Sequence, residues 1–327
     1  MLTIFLNVFR SRFKPPKLVF RFFVPIIKLV SRSRQFPLQV DFERFARSQW
    51  LQGGESNSIK HTHFSRPIEI ELVFVVTRKD FGVLKYSLPM AINSLSNYSI
   101  CTITLIVPSN DVTECSTRFI SKGNKVRVIN EDKLIDQGKR EILLEKFEGR
   151  HKWVLQQLLK VEAVLTSEAE AVLIVDADTL LLRKRKWFND SGQQLIQPSE
   201  ELNPEYYSFL EQFGISRNPP AFSLVSHHMI FQPRYLKEAL NKLGVADIDE
   251  MLQVLKAKLI IQSQSPVCVD YELYGQYMIN FRRSDVFLEQ WANIGISARY
   301  LEGICNSRIL IGSLKFFYNS VSFHSWS

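Results

Sequence analysis

The chain has 327 residues, 46% of them hydrophobic and 23% charged, which is the composition of an ordinary globular protein rather than of a disordered or fibrous one. Its formal net charge is +8, yet residues 1–40 hold eight basic side chains and no acidic one, so the rest of the chain is electrically balanced. A balanced body gives no basis for predicting a nucleic-acid-binding surface. The four cysteines are widely spaced and form no CxxC pair, so neither structural zinc nor a disulfide framework is indicated.

Residues 1–65 are predicted to form a basic amphipathic arm followed by a polar linker. Phenylalanines recur at helical spacing between arginines and lysines, and prolines divide the arm into short pieces. Such an arm could lie on an anionic membrane surface, or pack on the body or on another subunit. No apolar run reaches the roughly 20 residues that span a bilayer, and positive charges follow the apolar start of the chain, the reverse of a secretory signal. We therefore expect a cytoplasmic protein, peripheral at the inner face of the membrane if the arm binds lipid.

The next part of the chain alternates between apolar runs and helical patterns. Strands are predicted over 68–76, 101–107 and 125–130, and helices over 83–98 and 111–121. Pro89 is expected to kink or shorten the first of these helices. Short connections between alternating strands and helices predict an α/β fold, with a mainly parallel sheet covered on both faces.

A polar segment follows the first predicted strand and contains Thr77 and Asp80. In open parallel sheets, ligands bind beyond the carboxyl ends of the strands. Asp80 could therefore accept a hydrogen bond from the base or the ribose of a nucleotide. The alternative is an ordinary polar turn.

Residues 139–168 carry the longest helical pattern, with two distinct faces. One is an apolar stripe that predicts burial in the core: Val154, Leu158, Val161 and Leu165. The other carries Trp153, Gln156, Gln157 and Lys160. A tryptophan ring can cover the apolar face of a sugar while neighbouring amides meet its hydroxyls, so this face suits sugar recognition. The alternative is a solvated face with an incidental tryptophan.

A buried strand is predicted over 172–175 and ends in two carboxylates, Asp176 and Asp178. Charge next to a buried strand is costly unless it leaves the sheet or meets a cation. Residues i and i+2 point the same way from an extended chain. The two aspartates could therefore grip one metal ion, or one metal ion and a sugar hydroxyl.

Later segments add further candidate side chains. A strand-like segment at 221–231 embeds His227 and His228, which face opposite ways, so at most one of them enters a given site. A helix is predicted over 234–260. The remaining candidates are Asp270 and Glu272 at a predicted helix start, and His324 in a strand-like tail.

The two aspartates admit three interpretations. In a nucleotide-sugar glycosyltransferase, a D-x-D motif holds a divalent cation that neutralises charge on the leaving diphosphate. In a haloacid-dehalogenase-type phosphatase, Asp176 would attack phosphorus and Asp178 would act as acid or base. Thr179 stands one place too early for that motif, and strand–helix units precede the strand. In a non-catalytic binding protein, the two aspartates would cap the next element. The helix before them and the carboxylates and histidine after them favour the first interpretation.

Together, these motifs resemble a GT-A fold glycosyltransferase, and more closely a bacterial family of uncharacterised glycosyltransferase-like proteins. The segments that carry the resemblance are 153–160 (WVLQQLLK), 175–179 (VDADT), 226–231 (SHHMIF), 270–275 (DYELYG) and 323–326 (FHSW). The resemblance covers residues 66–327 as one domain. It implies a GT-A-like, Rossmann-type α/β fold, with a mixed, mainly parallel sheet and helices on both faces.

The resemblance also implies a metal-dependent enzyme that transfers a sugar from a nucleoside-diphosphate sugar to an acceptor hydroxyl on a glycan or a lipid-linked molecule. Glycogenin-like enzymes are a more distant comparison, in which the D-x-D aspartates and a late histidine hold the cation. By that match, Mn²⁺ or Mg²⁺ would be held by Asp176, Asp178 and His324, although the glycine and lysine context usual after the histidine is missing.

The other roles belong to the hypothesis of glycosyl transfer. Asp270 or Glu272 would be the base of an inverting enzyme, whereas a retaining enzyme needs none, and the sequence does not distinguish the two. The predicted contacts of the donor and acceptor are Thr77, Asp80, Trp153, Gln157, Lys160, Asp176, His227 and His228.

Overall fold

The structure is a computed structural model, and it describes residues 67–121, 125–147, 149–199, 205–218, 223–258, 268–289 and 293–324. The predicted arm and linker, with their membrane or protein contacts, lie outside the described residues. Among the helices that the structure describes, none is long and apolar enough to cross a bilayer.

The strands form one large sheet and two small ones. Their bounds are β1 Glu69–Val75, β2 Ser99–Val107, β3 Val126–Asn130, β4 Ala171–Val175, β5 Thr179–Leu181, β6 Gln194–Ile196, β7 His228–Phe231, β8 Val286–Leu288, β9 Asn293–Ser297 and β10 Ser320–His324. The large sheet has the order β3-β2-β1-β4-β7. All its pairs are parallel except β4 with β7. The carboxyl ends of β1 to β4 therefore share one edge of the sheet.

The helices are α1 Phe81–Ser94, α2 Val112–Phe119, α3 Gln137–Lys146, α4 His151–Leu165, α5 Glu205–Glu211, α6 Pro233–Lys242, α7 Ile248–Lys258, α8 Tyr271–Phe281, α9 Leu301–Cys305 and α10 Arg308–Phe317. Two long predicted helices are each divided in the structure, the first into α3 and α4 and the second into α6 and α7. The second break follows from Gly244, whose φ of 75° ends α6 in the left-handed conformation. Pro89 lies inside α1 without ending it.

Alternate side chains of β1 and β4 enter two hydrophobic clusters on opposite faces of the sheet. Val73 and Ile174 pack in the cluster that contains residues of α4, α6, α7 and α8. Leu72 and Leu173 pack in the cluster that contains residues of α1 and α2. The predicted fold class is thus confirmed: an α/β protein with a mixed, mainly parallel sheet and helices on both faces.

The last strand returns the chain to the end of β4. β10 pairs antiparallel with β5, with Ser322 opposite Thr179, and parallel with β9. The Phe323 N–H donates a 2.8 Å hydrogen bond to the Asp178 carbonyl oxygen. This pairing places His324 next to the second aspartate of the D-x-D segment.

Candidate functional site

A pocket of about 110 Å³ lies at the end of β4. Its walls come from α4, from the D-x-D segment, from residues 206 and 225–227, and from the start of α8. The lining residues are Trp153, Gln156, Gln157, Lys160, Asp176, Tyr206, Val225, His227, Cys268, Asp270 and Tyr271. Ligand pockets typically measure about 300–1,000 Å³, so this one suits a single ring of a larger ligand.

The polar face of α4 forms one wall, as the sugar-recognition interpretation requires. All four of its residues named from the sequence line the pocket. Trp153 stacks on Tyr206, with ring centroids 5.9 Å apart and an interplanar angle of 24°. Gln157 is buried, and its Oε1 accepts a 2.7 Å hydrogen bond from the Val269 N–H, which ties α4 to the segment before α8. The apolar stripe of the same helix faces the core, where Val154, Leu158 and Val161 are buried.

Lys160 is a buried cation in the pocket wall, with only 5% of its surface exposed. Its Nζ lies 2.7 Å from Asp176 Oδ1, 3.2 Å from Asp270 Oδ2 and 3.3 Å from the Tyr271 hydroxyl oxygen. Burial alone would lower the pKa of Lys160, but Asp176, Tyr271 and Asp270 outweigh it and hold the pKa well above its ordinary value. The ammonium is therefore a permanent charge of the site.

Asp176 is engaged on both carboxylate oxygens. Oδ1 accepts from Lys160 and, at 2.9 Å, from the Tyr271 hydroxyl, and Oδ2 lies 3.3 Å from His227 Nδ1. Burial would raise the pKa of Asp176, but Lys160 and His227 hold it well below its ordinary range. Asp176 is therefore a fixed anion that points into the pocket.

Asp178 faces a different partner. Its Oδ2 lies 3.6 Å from His324 Nδ1, and the His324 ring lies 5.8 Å from the His227 ring, measured between centroids. The D-x-D segment leaves the extended conformation after β4, and residues 177 and 178 form a turn. The rule that residues i and i+2 point the same way therefore does not apply to this pair.

The three predicted metal ligands are not gathered into one site. Asp178 and His324 lie together, but Asp176 is turned to Lys160, and no group of three or more His, Cys, Asp or Glu side chains suited to a metal ion occurs among the described residues. An aspartate and a histidine suit Mn²⁺, which accepts oxygen and imidazole ligands. The pair Asp178 and His324 thus suits a cation held by two side chains. The predicted set of three ligands, which includes Asp176, does not fit.

The two adjacent histidines face opposite ways. His227 lines the pocket, whereas the His228 ring packs edge-to-face on Trp187 with centroids 5.7 Å apart. His228 Nε2 lies 2.7 Å from Gln197 Oε1. His228 therefore packs in the core and does not make the predicted pocket contact, because β7 directs its side chain to the other face of the sheet.

The two predicted bases also have different surroundings. Asp270 lines the pocket and pairs with Lys160. Glu272 is fully buried outside the lining, where it accepts hydrogen bonds from the Ser223 hydroxyl (2.6 Å), the Leu224 N–H (2.8 Å), the Tyr207 hydroxyl (3.0 Å) and the Gln276 amide (3.1 Å). The role predicted for Glu272 is corrected accordingly: this carboxylate joins α8 to the neighbouring segments and does not meet the pocket.

Thr77 and Asp80 lie at the same sheet edge but outside the pocket lining. The Thr77 N–H and hydroxyl donate to Asp80 Oδ2 at 2.9 and 2.8 Å, which closes the turn after β1. The Arg78 N–H donates to Asp111 Oδ2 at 2.9 Å, so the ends of β1 and β2 are joined. A nucleotide contact at this edge stays a prediction.

Four pocket-lining residues are not found from the sequence: Tyr206, Val225, Cys268 and Tyr271. Tyr271 lies within the 270–275 segment, and its hydroxyl donates to Asp176, but a tyrosine at a helix start gives no local signal of such a contact. The Cys268 thiol donates to Asp270 Oδ1 at 3.2 Å, and burial and the Asp270 charge raise its pKa well above the ordinary value. Tyr206 lies in the first turn of α5, and nothing in its local sequence pattern singles it out.

Comparison with known proteins gives fold likeness only. No family model matches the chain, and no curated protein matches it. Among solved structures, mouse xyloside xylosyltransferase 1 in its apo form matches with 12% identity, covering 79% of this chain and 99% of that chain, at a TM-score of 0.42. An active-site mutant of LgtC matches with 10% identity, covering 77% and 86%, at a TM-score of 0.43. The 4-diphosphocytidyl-2C-methyl-D-erythritol synthase of Anaerococcus prevotii matches with 10% identity, covering 68% and 87%, at a TM-score of 0.35. Likenesses of this size assign neither family nor activity, so a functional conclusion has to come from the pocket residues.

Proposed function

We propose that this chain is a glycosyltransferase, which moves a sugar from a nucleoside-diphosphate sugar to an acceptor hydroxyl. The observation that carries the proposal is the composition of the pocket at the end of β4. A stacked aromatic pair, Trp153 and Tyr206, lines the same small space as charged and amide side chains, and this space suits one ring. Sugars present both an apolar face and a rim of hydroxyls, and such a pocket offers a partner to each.

In this proposal the donor sugar occupies the pocket. Gln156, Asp176 and Asp270 supply acceptors or donors for its hydroxyls, and Trp153 covers an apolar face. The nucleotide lies along the sheet edge toward Thr77 and Asp80, which agrees with ligand positions in open parallel sheets.

A divalent cation would be held by Asp178 and His324, with donor phosphate oxygens as further ligands. Mg²⁺ and similar ions in phosphate sites often use only one or two protein carboxylates and take the rest from substrate and water. When bound, such an ion would neutralise charge on the leaving diphosphate. Lys160 supplies a fixed positive charge deeper in the pocket.

Asp270 is the candidate base if transfer inverts the sugar. Its carboxylate lines the pocket, 3.2 Å from the Lys160 ammonium, within reach of a hydroxyl bound there. Glu272 is omitted from the proposal, because four donors already occupy its oxygens.

The acceptor is proposed to be a glycan or a lipid-linked molecule in a polysaccharide, lipid or surface-glycan pathway. The support is the basic, amphipathic composition of residues 1–40, which suits an anionic membrane surface. Binding to anionic liposomes should be lost when residues 1–40 are deleted, with donor turnover unchanged.

The primary test is a thermal-shift screen of nucleotides and nucleotide sugars, with and without Mn²⁺, followed by assay of nucleoside diphosphate release. We expect at least one nucleotide sugar to raise the melting temperature. Asp270→Asn should reduce release by about 100-fold or more if transfer inverts, within the usual range for loss of a general base. Trp153→Ala should weaken donor binding, whereas Lys152→Ala, an exposed change on the same helix, should not.

Two outcomes would favour the other interpretations. Nitrophenyl phosphate hydrolysis that disappears in Asp176→Asn would indicate the phosphatase. Absence of nucleotide-sugar binding, with or without metal, would favour a non-catalytic binding protein.

A further inference from the structure

We propose that Lys160 is the resident counter-cation of Asp176, and that a divalent ion binding at this site uses Asp178 and His324 without Asp176. The D-x-D segment would then be divided in function. Its first aspartate belongs to a closed ion cluster inside the pocket, and its second belongs to an open pair outside it.

The first support is the geometry of the cluster. The Lys160 ammonium is in ion-pair contact with Asp176 and Asp270, and it lies 4.3 Å from the centroid of the Tyr271 ring. A buried ammonium is strongly destabilising unless its charge is compensated. Removing Asp176 from Lys160 to serve a metal ion would undo the shorter of its two ion pairs.

The second support is electrostatic. A divalent ion coordinated by Asp176 would sit within a few ångströms of the Lys160 charge, because the carboxylate and Nζ are 2.7 Å apart. Two positive charges at that distance repel strongly in a buried site. The same carboxylate also accepts from Tyr271 and meets His227, so its oxygens already have partners.

The third support is the different set of side chains that the second aspartate contacts. Among the described residues, the side-chain contacts of the Asp178 carboxylate are with His324 and the neighbouring Thr179 hydroxyl, and none of them is a lysine or arginine ion pair. About a third of the Asp178 side chain is exposed, against 6% for Lys160. A hydrated cation can reach Asp178 without entering the pocket.

The test is a titration of the full chain with Mn²⁺ alone, in which free Mn²⁺ is followed by its paramagnetic resonance signal. Asp176→Asn should leave the dissociation constant within about twofold of the unaltered protein, whereas Asp178→Asn should weaken binding by about tenfold or more, as loss of a direct ligand does. Lys160→Met should tighten binding by about tenfold or more, because it frees two carboxylates. A purely structural role for Lys160 would not tighten metal binding. If Lys160→Met does not fold, Lys160→Gln, which keeps a hydrogen-bond donor, is used in its place.

Two results would overturn the proposal: Asp176→Asn weakening Mn²⁺ binding as much as Asp178→Asn does, or the Lys160 variant binding Mn²⁺ no more tightly than the unaltered protein. If the unaltered protein binds no Mn²⁺ and the Lys160 variant does, Lys160 is the group that excludes the ion from Asp176. Only the catalytic role of this metal site rests on the proposed function. No nucleotide sugar is present in the titration, so a failure of glycosyl transfer leaves its result standing.

Discussion

The Asp176 N–H donates a 2.8 Å hydrogen bond to the His227 carbonyl oxygen, joining the end of β4 to the residue before β7. His227 makes this contact with a φ of 56°, in the left-handed region that residues other than glycine seldom adopt. In this conformation the imidazole lies on the pocket wall, with Nδ1 3.3 Å from the Asp176 carboxylate. Backbone and side chain of His227 thus both contact the same aspartate.

We expect the backbone at residue 227 to discriminate between substitutions of similar size. His227→Asn should be tolerated, because asparagine adopts the left-handed region readily. The β-branched variant His227→Val should be less stable than His227→Asn by about 2 kcal/mol. Both variants lack the imidazole, so their difference in unfolding free energy, measured in urea, isolates the backbone. Equal stabilities would show that the left-handed conformation imposes no constraint.

Glu272 is predicted to act on stability rather than on chemistry. In Glu272→Gln, the new side-chain NH₂ would face the Gln276 NH₂ group that donates to the Glu272 carboxylate, so a hydrogen bond is lost in a fully buried site. The unfolding free energy should therefore fall by about 1–3 kcal/mol. Glu145→Gln, an exposed change, should stay within about 0.5 kcal/mol of the unaltered protein. A Glu272→Gln protein of full stability that releases donor nucleotide about 100-fold more slowly would restore the base role.

The sheet and much of one pocket wall could be predicted from local pattern. The apolar runs of β1 and β4 and the two faces of α4 depend on residues close in sequence, and the structure agrees with them. The geometry just past the end of β4 and at the start of α8 could not be predicted in the same way. Asp178 lies in a turn instead of a strand, and Glu272 lies in the first turn of α8, where the helical period separates it from Asp270.

The ion cluster could not be derived from the sequence. Lys160 and Asp270 are 110 residues apart, and their contact depends on how α4 and the start of α8 pack against the end of β4. A lysine on a polar helix face is usually solvated. Only the folded arrangement indicates that this one is buried between two carboxylates.

His228 should make the protein sensitive to acid. Burial, and then the Arg185 charge, lower the pKa of His228 to about 3, whereas in the unfolded chain it titrates near its ordinary value of 6.5. Between these two pKa values the unfolded chain therefore binds a proton at His228 that the folded protein does not bind. Stability that is fully present above pH 6.5 is lost progressively as the pH falls below 6.5. At pH 5.5 this loss is about 1.4 kcal/mol.

His228→Gln is the variant that measures this contribution. Urea unfolding at pH 7.5 and 5.5 should show a smaller loss of stability in His228→Gln than in the unaltered protein, by about 1.4 kcal/mol. The other histidines and the carboxylates titrate in both proteins, so their effects cancel in the comparison. An equal loss in the two proteins would contradict a neutral, buried His228.

Gly275 is predicted to be required for the packing of α8 behind the pocket. A Cβ at this position would lie 2.6 Å from Leu224 Cδ1 and 3.1 Å from Leu224 Cβ, and Leu224 is fully buried. Gly275→Ala should therefore cost about 1–3 kcal/mol of unfolding free energy through overpacking. Gly312→Ala is the matched control, since nothing lies within 4 Å of its Cβ in the exposed interior of α10, and it should stabilise by about 0.5–1 kcal/mol. Opposite signs in chemical denaturation are the expected result, and a stabilising Gly275→Ala would mean that Leu224 moves freely away from α8.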